Sequence, residues 1–142
     1  MKKTIILFIS LFSFAVYSQD ADYSAYFKSG TKLNVNDLDQ LLGQVYLEKT
    51  QEMKQTVRYE DYTELLSHRL VVVQLPEGKL GSLMSTNDLP LNIEYNSELV
   101  YDKDFNSNTF NPFKYKMNFF PNTPSVSYRI GSSDYIIIIL AK

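Results

Sequence analysis

Leu38, Leu41, Leu42 and Val45 recur at the three- and four-residue spacing of one helix face, and Met53 and Val57 resume the stripe after Thr50. Asn36 is the expected N-cap, since its side chain can accept from the first free backbone amides. Asp37 and Asp39 suit the positive end of that helix. Gly43 weakens it only slightly. A second apolar stripe, Tyr62, Leu65 and Leu66, loses its helical period at Arg69. No Gly or Pro lies between Gly43 and Pro76, so one long helix or two in series fit. The polar run Glu48, Lys49, Gln51, Glu52 and Lys54 argues for a break or bend within residues 55–60.

Beyond Arg69 the period changes. Residues 70–75 are rich in β-branched side chains and stop at Pro76, as a buried strand does. Residues 91–95 and 99–101 read as short strands, with Ile93 and Tyr95 alternating around Glu94. The longest polar loop covers 102–112. After it Phe113, Tyr115, Met117 and Phe119 alternate with Lys114, Lys116 and Asn118, the pattern of a half-buried strand with one wet face. Val126, Tyr128 and Ile130 alternate with Ser127 and Arg129. A turn at 131–134 then leads into 135–140, so the C-terminal segment reads as a β-hairpin. Residues 136–140 are apolar on both faces, which places them in the middle of a sheet covered on both sides. The expected fold is α+β: one or two N-terminal helices packed on an antiparallel sheet of four to five strands ending in that hairpin.

The first eighteen residues stand apart. Lys2 and Lys3 precede an apolar run over 4–16; Val16 and Ser18 occupy cleavage-site positions, and polar residues follow at Gln19, Asp20 and Asp22. This is the three-part pattern of a secretory signal peptide, too short for a comfortable transmembrane span. The expected organisation is a signal peptide at 1–18, an N-terminal arm at 19–36 and one α+β domain at 37–142. The lysine-plus-apolar start and the Lys, Asn, Ile and Tyr usage point to a bacterial envelope or secreted protein, periplasmic or extracellular.

Composition narrows the chemistry. The chain has 142 residues, no Cys, no Trp and one His. Disulfides, thiol catalysis and cysteine-based zinc sites are excluded. Loss of Lys2 and Lys3 would move the formal charge from -2 to -4, which gives no electrostatic reason to seek nucleic acid or anionic lipid. Neither a glycine-rich phosphate loop nor a GxSxG elbow occurs.

Four features could carry chemistry or contacts. Asp102, Asp104, Asn106 and Asn108 place oxygen side chains at alternate positions, as a calcium loop does. That pattern then departs, with Ser107 where the EF-hand has Gly and Phe113 where it has a bidentate Glu; an ordinary polar loop is the competing reading. His68 lies one helical turn after Glu64, the spacing of an oriented base, with Ser67 adjacent but not facing it. A helix-end histidine explains the same position. Finally, 11 Tyr and 9 Phe are a high aromatic load. Tyr23, Tyr26 and Phe27 on the arm are the expected surface contacts, because no periodic pattern buries them. The tyrosines keep a carbohydrate platform open, though the lack of Trp weighs against it. Lys114 and Lys116 on a wet strand face would be a solvated face or a contact for an acidic partner.

These observations point to an exported, non-enzymatic binding or interaction module for an unknown protein or small ligand. No cofactor is expected beyond the calcium loop, no nucleic-acid partner, and no integral membrane segment once the signal is removed. The alternatives are a small hydrolase built on carboxylates or His68, and a carrier enclosing a small apolar ligand.

Overall fold

The computed structural model describes residues 23–76 and 78–142; the signal-peptide segment at 1–18 lies outside the described residues. The helical half is α1 (Leu38–Tyr46), α2 (Thr50–Lys54) and α3 (Val57–Glu64), and the sheet is β1 (Leu70–Gln74), β2 (Ser125–Arg129) and β3 (Tyr135–Leu140). The class is α+β with an antiparallel sheet, but the sheet has three strands in the order β1-β3-β2, not four to five.

β3 is central because both its faces are covered. It pairs with β1 from Leu70 opposite Ile139 to Gln74 opposite Tyr135, and with β2 from Ser125 opposite Leu140 to Arg129 opposite Ile136. Its even and odd residues therefore face opposite layers. Ile137 and Ile139, with Leu70, Val72 and Tyr128, pack on Leu38, Leu42, Val45, Leu65 and Leu66 of the helical half. Ile136 and Ile138, with Val71 and Val73, pack on Tyr23, Leu75, Leu80 and Leu83. The second cover comes from the N-terminal arm, whose 3-10 turn Tyr23–Ser29 lies on the sheet. Gly30 makes that approach feasible, since a Cβ there would sit 2.6 Å from the Val71 side chain. Beyond it Thr31 pairs with Val72 through two backbone hydrogen bonds of 2.8 and 2.9 Å.

Three of the expected strands are absent, for local reasons. Leu91 and Tyr115 make one isolated antiparallel bridge. It cannot extend, because Pro90 has no N–H and the chain turns away at once, with the Tyr95 amide donating to Asn92 O. Residues 99–101 follow another turn, in which the Leu99 amide donates to Asn96 O. At 113–119 the alternation of buried and exposed residues is real from Tyr115 to Phe119, but Pro112–Lys114 is a 3-10 turn and Lys114 is buried. Alternation there follows an irregular chain lying on the core.

The helical half is also more broken than one or two helices. The expected bend is present between Lys54 and Val57; a further break falls at Leu47, which takes φ 47° and ψ -119°. The cap is Asn34, not Asn36: its Oδ1 accepts from the Asn36 amide at 3.0 Å and opens a 3-10 turn before α1. Asp39 ties the three segments together, accepting from Lys54 Nζ at 2.7 Å and from the Tyr59 hydroxyl at 2.6 Å. Those two hydrogen bonds hold its carboxyl below its usual range. α3 runs into a π turn, Leu65–Arg69, where the helical period fails and Arg69 points inward. Thr63 and Ser67 both donate to carbonyls four residues back, a contact that bends helices. Among the described residues, no helix is long and apolar enough to cross a membrane.

Candidate functional site

The segment 112–116 acts as a spine for the loop 89–102. Asn111 Oδ1 caps the 3-10 turn by accepting from the Phe113 amide at 3.0 Å, and the turn sends Phe113, Lys114 and Tyr115 into the interior. At the near end of the loop, the Asn92 amide donates to Lys114 O and the Lys116 amide to Pro90 O, both at 2.9 Å. Asn92 Nδ2 donates to Phe113 O at 2.7 Å. At the far end the Asp102 carboxylate accepts from the Tyr115 hydroxyl and pairs with Lys114 Nζ at 2.7 Å. The Tyr115 oxygen accepts in return from the Asp102 amide at 2.9 Å. Burial, and then the Asp102 carboxylate, raise the Tyr115 phenol well above its ordinary pKa.

Between these ends the loop is fixed again. Asn96 Nδ2 donates to Gln44 O at 2.9 Å and the Tyr101 hydroxyl to Leu89 O at 2.8 Å. Lys116 pairs with Glu94 at 3.0 Å. The Tyr95 ring meets Tyr46 edge-on, with centroids 4.8 Å apart. Despite this anchoring the loop turns four large apolar side chains outward: Ile93 is 59% exposed, Val100 70%, Tyr95 44% and Tyr101 45%.

Tyr95 also forms one wall of a surface groove of about 260 Å³, with Tyr46, Met53, Thr56 and the stems of Lys49 and Glu52. Lys49 and Glu52 pair across 3.0 Å. Beside Tyr46 stands Leu47, half-exposed, in a backbone region that disfavours every residue but glycine. Such strain costs on the order of 1–3 kcal/mol and collects at functional positions.

No known protein family, curated protein or solved structure matches this chain. Function is therefore argued from the site itself.

The residues singled out in the sequence fall elsewhere. Of the calcium-loop candidates, Asp102 is committed to Lys114 and Tyr115. Asp104 Oδ1 accepts from the Phe105 amide at 2.7 Å, and Asn106 Oδ1 from the Asn108 amide at 2.9 Å. Asn108 lines a separate cleft. Among the described residues, no three acidic or histidine side chains gather to hold a metal ion. Glu64 pairs with Arg69 at 2.7 Å while His68 is exposed, so the structure brings Glu64 to the arginine and not to the histidine. Tyr23 is buried, with its hydroxyl donating to Lys79 O at 3.1 Å; Tyr26 and Phe27 are half-buried on the same sheet face. The arm's aromatics thus pack on the sheet, Tyr23 fully and Tyr26 and Phe27 in part. Lys114 and Lys116 both pair within the chain, and only Lys116 is exposed.

Sequence reading missed this surface because Ile93, Tyr95, Val100 and Tyr101 look like strand residues. The one available signal was Pro90 together with the polar Asn92 and Asn96, which suit turns better than a ladder.

Proposed function

We propose that the chain is a small non-enzymatic binding module that docks a protein partner through the loop 89–102 and the adjoining Tyr46–Tyr95 groove. One observation carries the reading. A loop held at both ends and in its middle exposes four large apolar side chains, so its surface is preformed and loses little freedom on binding. Tyr is enriched in interfaces, and an apolar centre rimmed by the Lys49–Glu52 ion pair has the usual interface layout. The groove is of a size to take one apolar anchor side chain. Glu64 and Asp102 are engaged in contacts that hold the fold, which favours binding over catalysis. Residues 1–18 support export, to the periplasm or beyond, as part of the same proposal.

The test is site-specific photo-crosslinking in the host, with the probe at Val100 and, as control, at the exposed Lys28 on the opposite sheet face. One defined protein adduct from Val100, absent from Lys28 and lost in Ile93→Asp/Tyr95→Asp, is the expected outcome. The double variant should keep the wild-type circular-dichroism spectrum and lose only the Tyr95–Tyr46 ring contact, about 0.5–1.5 kcal/mol. Equal adducts from both probes, or an adduct indifferent to the double substitution, would refute the proposal. N-terminal sequencing of the host-purified chain should begin at Gln19.

A further inference from the structure

We propose that a second, polar cleft is a binding site for a neutral saccharide. The cleft, of about 300 Å³, lies between residues 31–44 and the loop 105–110, and does not share its lining with the Tyr46–Tyr95 groove. That volume is at the lower end of small-ligand pockets, about 300–1,000 Å³.

Its chemistry selects the ligand. Gln40 and Asn108 are among its lining residues, and their side-chain amides make no hydrogen bond among the described residues. Asn34 uses its oxygen on the Asn36 amide, and its NH₂ group makes no hydrogen bond among the described residues. An amide side chain offers a donor and an acceptor side by side, which matches a pair of neighbouring hydroxyls, each of them also donor and acceptor. Apolar wall is supplied by Leu41 and by Phe105, whose ring is wedged against Phe110 at 5.5 Å and Tyr135 at 4.7 Å. A sugar ring needs both: a flat C–H face to pack on the aromatic side chain, and a hydroxyl edge to meet the amides.

Charge argues against the other ligand classes. Lys32 lines the cleft; its Nζ donates one hydrogen bond to Ser67 O at 2.9 Å and keeps its charge and two further donors. Asp37 supplies the opposite charge in the same lining, so the cleft carries no net charge. A lining of no net charge gives an anion no electrostatic advantage and one carboxylate is too little to hold a hard cation, yet the carboxylate is a good acceptor and the ammonium a good donor for hydroxyls. A neutral, hydroxyl-bearing ligand fits what remains.

The experiment is NMR of the ¹⁵N-labelled chain titrated separately with maltotriose, cellotriose and triacetylchitotriose. One of the three should shift the side-chain amides of Gln40 and Asn108 and the backbone amides of 105–110. Gln40→Ala/Asn108→Ala removes two exposed side chains that support no internal contact, so the fold should persist, checked by an unchanged spectrum elsewhere. That variant should bind about tenfold more weakly, the loss of two hydrogen bonds. The proposal is overturned if none of the sugars shifts these amides at about 10 mM, or if the double variant binds as tightly as wild type. It is equally overturned if an extended peptide shifts the same amides and no sugar does.

Discussion

Removing the Arg69 guanidinium should destabilise the fold more than any exposed charge change. Arg69 is 4% exposed, at the end of the π turn. Its Nε donates to Glu64 at 2.7 Å, and its Nη1 donates to Phe119 O at 3.0 Å and to Leu140 O at 2.9 Å. It therefore joins the helical half, the turn before β2 and the end of β3. Its guanidinium also lies 5.3 Å from the Phe120 ring centre, with Arg58 4.8 Å from the same ring. Hydrogen bonds to a charged group contribute about 1.5–3 kcal/mol each. Against them stands the cost of burying the cation, several kcal/mol, and an Nη2 with no partner among the described residues.

The outcome depends on what replaces the side chain. Arg69→Ala leaves a void and two carbonyls without their donor, and should lose about 3–5 kcal/mol. Arg69→Met fills most of the volume and removes the unpaired Nη2, so about 2 kcal/mol should be lost, chiefly from those carbonyls. Glu64→Gln keeps an acceptor for Nε but removes the counter-charge of the buried cation; with Glu64 itself 35% exposed, it should cost about 1–2 kcal/mol, less than Arg69→Ala. Urea denaturation with matched m-values measures all three. An Arg69→Met chain as stable as wild type, or more so, would refute the reasoning, because desolvation would then outweigh the three bonds. Glu64→Gln costing as much as Arg69→Ala would also refute it, by making the ion pair and not the carbonyl contacts decisive.

Two further outcomes are expected. Tyr46, Tyr62 and Tyr115 are raised mainly by burial, so they stay neutral in the fold while the unfolded chain ionises near pH 10. Their contribution is complete below about pH 10 and is lost as pH rises toward the folded values; phenolate absorbance followed beside circular dichroism should show a group of tyrosines titrating only with unfolding. Leu47→Gly should stabilise the chain by about 1 kcal/mol in urea denaturation, because glycine adopts the positive φ without strain.

The parts of the fold legible in the sequence are those where one rule dominates. The isoleucines of β3 could only be central, since an edge strand apolar on both faces would be a liability. Leu38, Leu42, Val45, Leu65 and Leu66 reach the core as their helical spacing required. Residues 91–119 were not legible, because alternation of buried and exposed side chains does not require a partner strand. What decides there is hydrogen bonding by single side chains: Asn92 to Phe113 O, Asn111 to the Phe113 amide, Asp102 to Lys114 and Tyr115. Such contacts join residues far apart in sequence and have no period. The candidate site was hidden for the same reason, since apolar composition at Ile93 and Val100 reads as burial. The packing of the arm was not legible either. Tyr23 has no periodic companions, because a short 3-10 turn lying on a sheet needs none.

Both proposed surfaces are fixed to the same turn of α1, and that bears on whether they communicate. Gln44 accepts through its carbonyl from Asn96 of the loop, and through its side chain from Asn111 at 3.0 Å, while lining the polar cleft. Asn111 also donates to Leu41 O at 2.7 Å and caps the spine that holds the loop. Coupling between sites requires an element with two arrangements that each ligand favours differently. Gln44 and Asn111 instead bind one arrangement from both sides, and Asn111 is bonded to the amide of the fully buried Phe113. A shift in either surface would have to break several of these bonds at once, each worth about 1 kcal/mol. The geometry thus favours two rigid, separately occupied sites on one scaffold over a switch between them.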